Sequence, residues 1–347
     1  MRILAIETSC DETAAAVVQD GTKIISNIVA SSTKMHEKYG GIVPEVAARE
    51  QLRFVIPVIK EALAIFTKGA MSLQYSEQAI RQCVNDHIDS IAVTVGPGLI
   101  GSLLVGVETA KTIAYITGKP IIPVNHVLAH MYANFLDFDL KISPSFPAIS
   151  LVASGGHTEL YLMKSMKDLI WLGGTLDDAA GECFDKTARL LGFGHGGGLA
   201  IQNAAAKYST KAKSKIHLPR PMLHDDTLNF SFSGLKTAVM REWKKNGNSN
   251  TVNEFAHEIQ ESISDVLVEK TLRAAKKYNA QSILLSGGVA ANTCLRKKFK
   301  GVISFFTPSV ELCTDNAAYI ASYAYFRGAP AEWHNITAIP DLSVEDI

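Results

Sequence analysis

Residues 88–124 restrict the possible folds of this chain more than any other stretch. Ser90 to Val107 is 18 residues without a charge, long enough to be weighed as a membrane span. Gly96-Pro97-Gly98 interrupts it, so a strand over 88–95, a turn and a helix over 99–116 explain it better. With a second apolar strand at 120–124, the segment reads as a βαβ unit of a parallel sheet. In such sheets the loop at the carboxyl edge of the strand is where ligands bind.

The scheme recurs. Short β-type runs at 3–6 and 14–18 flank Glu7-Thr8-Ser9-Cys10-Asp11-Glu12-Thr13, a polar tip suited either to phosphate or, through Asp11 and Glu12, to a cation. Runs at 148–153 and 159–163 flank a second tip, Ser154-Gly155-Gly156-His157-Thr158. Further on, a strand at 282–285 meets Ser286-Gly287-Gly288, then a helix over 289–298 and a strand at 302–305. Amphipathic helices are expected over 44–64, and a weakly patterned one over 71–83. The two halves repeat at an offset of roughly 150 to 190 residues. The expectation is α/β: two similar domains facing across a cleft, one spanning 1–125 and completed by 325–347, the other spanning 126–324. From Ala331 onward the chain reads as a closing tail.

Chemistry concentrates in Asn125-His126-Val127-Leu128-Ala129-His130. On a helix, histidines four apart share a face and can share a metal ion; half-buried histidines with ordinary hydrogen bonds are the plainer alternative. A zincin protease is excluded, because Val127 stands where the pattern needs its general-base glutamate. Four acids, Asp177, Asp178, Glu182 and Asp185, precede a helical run over 187–191, and capping accounts for one of them but not all. The glycine-rich loop 192–198 suits a phosphate or an empty turn equally.

The 347 residues allow two domains, and a formal net charge of zero means that any polyanion must be held by local patches. Lys207, Lys211, Lys213, Lys215 and Arg220 form one such patch, and Arg296, Lys297, Lys298 and Lys300 another, unless both are solvated faces. Five cysteines, never in C-x-x-C spacing, argue against a disulfide framework or zinc ribbon and for a reducing, cytoplasmic compartment. No signal or transit peptide and no membrane association are expected.

Seven motifs in series carry a resemblance: Ile6-Glu7-Thr8-Ser9-Cys10-Asp11-Glu12-Thr13, Tyr39-Gly40-Gly41-Ile42-Val43-Pro44-Glu45, Val95-Gly96-Pro97-Gly98-Leu99, Ser154-Gly155-Gly156-His157-Thr158, Asp177-Asp178-Ala179-Ala180-Gly181-Glu182, Phe230-Ser231-Phe232-Ser233-Gly234-Leu235-Lys236 and Cys313-Thr314-Asp315-Asn316. From end to end the chain resembles the bacterial tRNA N6-adenosine threonylcarbamoyltransferases, formerly called O-sialoglycoprotein endopeptidases. The resemblance implies the two-domain fold of actin, Hsp70 and sugar kinases. It implies transfer of a threonylcarbamoyl group from threonylcarbamoyl-AMP to N6 of the adenosine 3′ of the anticodon, in tRNAs reading codons that begin with A. His126, His130 and Asp315 match the family's ligands for one divalent metal per chain, Fe²⁺ before zinc. Val152, Ala153, Ser154, Gly155, Gly156, Asp185, Gly198 and Asn292 match positions that hold the adenylate. Asp11 and Glu12 are the acids assigned to orienting or deprotonating the amine.

Work with a smaller paralogous actin-like subunit and an ATPase subunit is implied as well, and a homodimer of the isolated chain is left open. The chain departs from the family at Leu128, where many bacterial relatives carry Glu, at His195-Gly196, which shifts the match at Gly198 by up to one residue, and over 67–86, which reads as a surface insertion. Two rival functions follow from the same features: an ATP-dependent kinase or ATPase, or a non-catalytic binding subunit of a tRNA-modifying complex. The metal trio speaks against the first, because phosphoryl-transfer enzymes receive Mg²⁺ with the nucleotide.

Overall fold

The computed structural model describes residues 1–36, 39, 41–67, 77–137, 143–194, 197–209, 214–301 and 303–343. The chain divides into two compact units, Met1–Ser143 with Thr314–Ile347, and Pro144–Cys313.

The first unit runs β1 (Arg2–Glu7), β2 (Glu12–Gln19), β3 (Lys23–Ser31), α1 (Thr33–His36), α2 (Pro44–Phe66), α3 (Glu77–His87), β4 (Ser90–Gly96), α4 (Ile100–Thr117), β5 (Ile121–Asn125) and α5 (His126–Tyr132). Its sheet has the order β3-β2-β1-β4-β5. β1 and β2 are antiparallel from Arg2↔Gln19 to Glu7↔Ala14, whereas β1, β4 and β5 are parallel. Ile3, Leu4, Ala5 and Ile6 are all buried, as expected of a strand with both faces covered. α2 starts on Pro44, which fits a first helical turn, and buries Val55, Val58, Ile59, Ala62 and Leu63 in one cluster with Leu4, Ile6 and Val17. Each of the Val, Ile and Leu side chains contributes roughly 1.5–3 kcal/mol by leaving water.

The second unit repeats the topology: β6 (Ala148–Ala153), β7 (Thr158–Met163), β8 (Leu169–Gly174), α6 (Ala180–Leu190), α7 (Gly197–Ala205), α8 (Ser233–Asn246), α9 (Val252–Lys277), β9 (Ser282–Ser286), α10 (Thr293–Phe299) and β10 (Ser304–Phe306). Its sheet order is β10-β9-β6-β7-β8. In each unit the first strand pairs antiparallel with the second and parallel with the fourth. The chain then returns to the first unit as α11 (Ala317–Phe326).

Two expectations need correction. The units change at 143/144 and 313/314, not at 125/126 and 324/325, because α5 and α11 pack together: Tyr132 lies edge-on to Tyr323 with ring centroids 5.2 Å apart. In the tail, Ala331 N–H donates to Ile121 O (2.9 Å) and Ile339 N–H to Val95 O (2.7 Å), and Ile336 and Leu342 are buried. The helix expected over 289–298 is a 3-10 turn, Gly288–Ala291, followed by α10, with Asn292 capping the latter. The weak helix expected over 71–83 is described only as α3, and residues 68–76 of the expected insertion lie outside the described residues.

Candidate functional site

In the first unit the two histidines open α5 directly after β5. Asn125 caps that helix, accepting from Leu128 N–H at 3.1 Å, and so fixes where its first turn begins. The i, i+4 spacing then puts the imidazoles on one face, with ring centroids 4.7 Å apart. Asp315 arrives from the residue before Asn316, the cap of α11, and its Oδ1 lies 3.7 Å from His126 Nε2 and 3.4 Å from His130 Nε2. One donor atom from each of the three falls within 4.8 Å of the others. His130 is fully buried, yet neither ring nitrogen makes a hydrogen bond, an arrangement that buried polar atoms avoid unless something else meets them.

Sequence reasoning missed Glu7, whose carboxylate faces His126 from β1. Its Oε2 accepts from His126 Nδ1 at 3.2 Å and from the Thr94 hydroxyl, while Oε1 accepts from Ser9 N–H at 2.6 Å. The signal was an acid ending an apolar strand, and it was absorbed into the polar tip. Burial acts to lower the His126 pKa, but the charges of Glu7 and Asp315 win and push it up to about 9. Burial would raise Asp315, yet the charge of His126, the nearness of His130 and the bond from the Tyr319 hydroxyl hold it well below the carboxylate range. His130 is lowered, chiefly by burial.

A folded-state value above the ordinary 6.5 means that His126 contributes stability fully below about 6.5 and loses it as pH rises toward 9. With chelator present, the thermal midpoint should therefore fall between pH 6.5 and 9, as a series of melts across that range would register. A flat profile would contradict the His126 charge state.

Asp11 and Glu12 stand beside this cluster. Asp11 Oδ2 accepts from the Thr33 hydroxyl at 2.9 Å, and Glu12 Oε1 accepts from the Ser31 hydroxyl at 3.1 Å. Burial, then the charges of Asp315 and Asp11, push Glu12 up to about 10. The tip itself is fastened by Gln51 of α2, a fully buried side chain whose Nε2 donates to the carbonyls of Thr8 (3.3 Å), Cys10 (2.7 Å) and Glu12 (3.2 Å). From α4, Ser102 Oγ donates to Cys10 O at 3.1 Å. Gln51→Leu should cost about 1–3 kcal/mol in denaturant unfolding, because the two Nε2 hydrogens shared among these carbonyls are lost and Ser102 remains to Cys10 O alone. An unchanged midpoint would remove Gln51 from this account.

In the second unit, Val152 and Ala153 are wholly buried in β6, so only their backbone can meet a ligand. Ser154, Gly155 and Gly156 form the tip, closed by Ser154 N–H donating to His157 O at 2.8 Å, and space is open around both glycines. Gly287, with φ of 87°, passes so close to β6 that a Cβ on it would sit 2.4 Å from Ala153 O. Asp185 lies one turn along α6 from Gly181, whose N–H donates to Ser154 O at 3.1 Å. The glycine pressed against Asp185 is Gly197, where a Cβ would meet Oδ1 at 2.3 Å, while space is open around the expected Gly198. Asn292 is already engaged: Oδ1 accepts from Leu295 N–H and Nδ2 donates to Gln260 Oε1, each at 3.0 Å.

The four acids separate into distinct tasks. Asp177 caps α8, accepting from the Ser231 and Ser233 hydroxyls at 2.6 Å and from Phe232 N–H at 2.7 Å; although burial opposes it, these bonds lower it to about 2. Asp178 and Glu182 both pair with Lys186 (2.7 and 2.8 Å), and Asp185 lies further along α6. Of the basic patches, Lys298 is bound to Glu261 and Asp265, and Arg220 to Glu258 and Asp265, which makes both of them braces on α9. Lys211, Lys213, His195 and Gly196 lie outside the described residues. No helix among the described residues is long and apolar enough to cross a membrane.

A family model described as tRNA N6-adenosine threonylcarbamoyltransferase matches residues 23–322. A protein of that name from Syntrophomonas wolfei is 48% identical over 334 residues, covering 94% of this chain and 92% of its own. Another from Persephonella marina is 45% identical over 336 residues, covering 94% and 90%. Among solved structures, component A of the (R)-2-hydroxyglutaryl-CoA dehydratase of Acidaminococcus fermentans superposes with a TM-score of 0.53 at 14% identity, over 94% of this chain and 98% of that one. At that identity the likeness speaks to fold alone, an α/β chain with two mixed sheets.

Proposed function

The chain belongs to the tRNA N6-adenosine threonylcarbamoyltransferase family and is a tRNA-modifying transferase, and on that premise we propose that it moves a threonylcarbamoyl group from threonylcarbamoyl-AMP to N6 of the adenosine 3′ of the anticodon, in tRNAs reading codons that begin with A. In this reaction N6 bonds to the carbamoyl carbon, the bond from that carbon to the adenylate oxygen breaks, and N6 loses one proton. An aromatic amine is a weak nucleophile and AMP a good leaving group, so holding the reactants in register is the main task. Such positioning can lower a barrier by roughly 7–11 kcal/mol.

His126, His130 and Asp315 would hold one divalent cation, Fe²⁺ by preference and zinc as the competitor. Two imidazoles and one carboxylate with positions left over suit either ion. The residues fit it: two buried His130 nitrogens lack hydrogen bonds, and a carboxylate converges on both rings. When bound, the ion supplies Lewis acidity toward a carbamoyl or phosphate oxygen. Binding must displace the His126 proton, so affinity should climb with pH up to about 9. In the second unit, the 153–156 backbone and the Gly287-Gly288 turn would receive the adenylate, with Asp185 accepting from ribose hydroxyls. Asp11 and Glu12, on the first tip, would orient or deprotonate the amine.

The observation that carries this reading is the gathering of His126, His130 and Asp315, distant in sequence, within a chain of this family. The test is reconstitution with a smaller paralogous subunit, an ATPase subunit, labelled threonine, bicarbonate, ATP and unmodified tRNA. Digestion should yield labelled threonylcarbamoyladenosine only when this protein is present. Product formed without it would overturn the proposal.

A further inference from the structure

Glu7 has no exposed surface, and a carboxylate in that position needs donors on every side. Ser9 N–H and the Thr94 hydroxyl supply two, and His126 Nδ1, 3.2 Å from Oε2, supplies the third. A carboxylate can only accept, so the hydrogen of that contact sits on Nδ1. The opposite nitrogen, Nε2, is the one turned toward Asp315, at 3.7 Å. His130 has no such support, because its Nδ1 makes no hydrogen bond.

We propose that Glu7 is a positioning residue that fixes the tautomer and ring orientation of His126, so that Nε2 is presented as the ligand atom toward His130 and Asp315. This rests on the metal reading above. A carboxylate behind a ligating imidazole holds the ring against rotation and makes its free nitrogen a better donor to a cation. Glu7 also ties the Ser9 turn to β4 through Thr94, so a structural role must be told apart from this one. Losing a purely structural tie would lower stability but would leave the bonded nitrogen of His126 unchanged.

The decisive experiment loads the full-length protein, labelled with ¹⁵N-histidine, with zinc alone. Long-range proton–nitrogen correlation then identifies which nitrogen of His126 is bound, and competition with a chromophoric chelator gives affinity. Expected is coordination through Nε2, with an Nδ1 proton slow to exchange. Glu7→Gln should weaken zinc binding about 10–100-fold and speed loss of that proton. Coordination through Nδ1, or affinity in Glu7→Gln within about twofold of the unaltered protein, overturns the proposal. Should Glu7→Gln not fold, the nitrogen assignment in the unaltered protein decides alone. His126→Ala separates the two readings: full zinc affinity in that variant removes the metal reading itself, whereas its loss there beside an unaffected Glu7→Gln removes only Glu7.

Discussion

His126→Ala is expected to lose bound metal and to slow threonylcarbamoyl transfer by about a thousandfold or more, equivalent to several kcal/mol of barrier. The reasoning is geometric. His126 supplies one of three donor atoms gathered within 4.8 Å, and alanine leaves His130 and Asp315 as an incomplete pair. It also leaves Glu7 as a buried carboxylate short of one donor, so some stability should go as well. The melt in the presence of chelator is the control that separates this loss from the loss of chemistry. Metal content by elemental analysis and product by nucleoside digestion are the two readouts. A variant retaining both would remove the trio from the mechanism.

Gly287→Ala is expected to disable the second unit's tip while sparing the metal. Its φ of 87° and ψ of 170° lie where only glycine rests comfortably, and occupying that region costs a side chain about 1–3 kcal/mol. The added Cβ would also stand 2.4 Å from Ala153 O, so the end of β6 must move. Each 1.4 kcal/mol of distortion that reaches the ligand weakens binding about tenfold. Calorimetric titration with AMP should show the loss, while zinc stoichiometry holds at one per chain. Gly288→Ala is the comparison: no atom lies within 4 Å of its ideal Cβ, so the fold should be nearly as stable as before. Equal stability losses in both variants would contradict this account of Gly287.

How much of this was legible in the sequence depended on what each residue faced. The inner strands β1, β4, β6 and β9 announced themselves, because strands covered on both sides are unbroken apolar runs. The outer strands β3 and β8 did not, since Ile24-Ile25 and Ile28-Val29 blur the alternation in one, and Ile170 and Trp171 are exposed in the other. A register shift between Val17 and Val18 further hides the β2–β3 pairing. α9 was readable in principle from Phe255, Ile259, Ile263, Leu267 and Ala274, which recur at helical spacing along its buried face.

At the site, the two histidines declared themselves by their interval, and Asp315 only through family resemblance. Glu7 and Gln51 could not be distinguished from ordinary polar residues. Their roles exist only after β1 and α2 have folded against the same loop. Asp177 illustrates the opposite error: an acid near a helix start suggested a cap for that helix, but it caps α8, more than fifty residues further along the chain.

The first unit is assembled from two lengths of chain, Met1–Ser143 and Thr314–Ile347, with all of Pro144–Cys313 inserted between them. During synthesis, both imidazoles therefore leave the ribosome long before the carboxylate that completes them. A nascent chain can pair β1 with β4 and β4 with β5 early, but it has neither α11 nor Asp315 until the second unit has been made. Holding the two lengths together closes a loop as large as a whole domain, and the entropy of that closure grows only slowly with its length. A cation held by the trio would thus act as a late clasp, taken up only by molecules whose synthesis has run past residue 315.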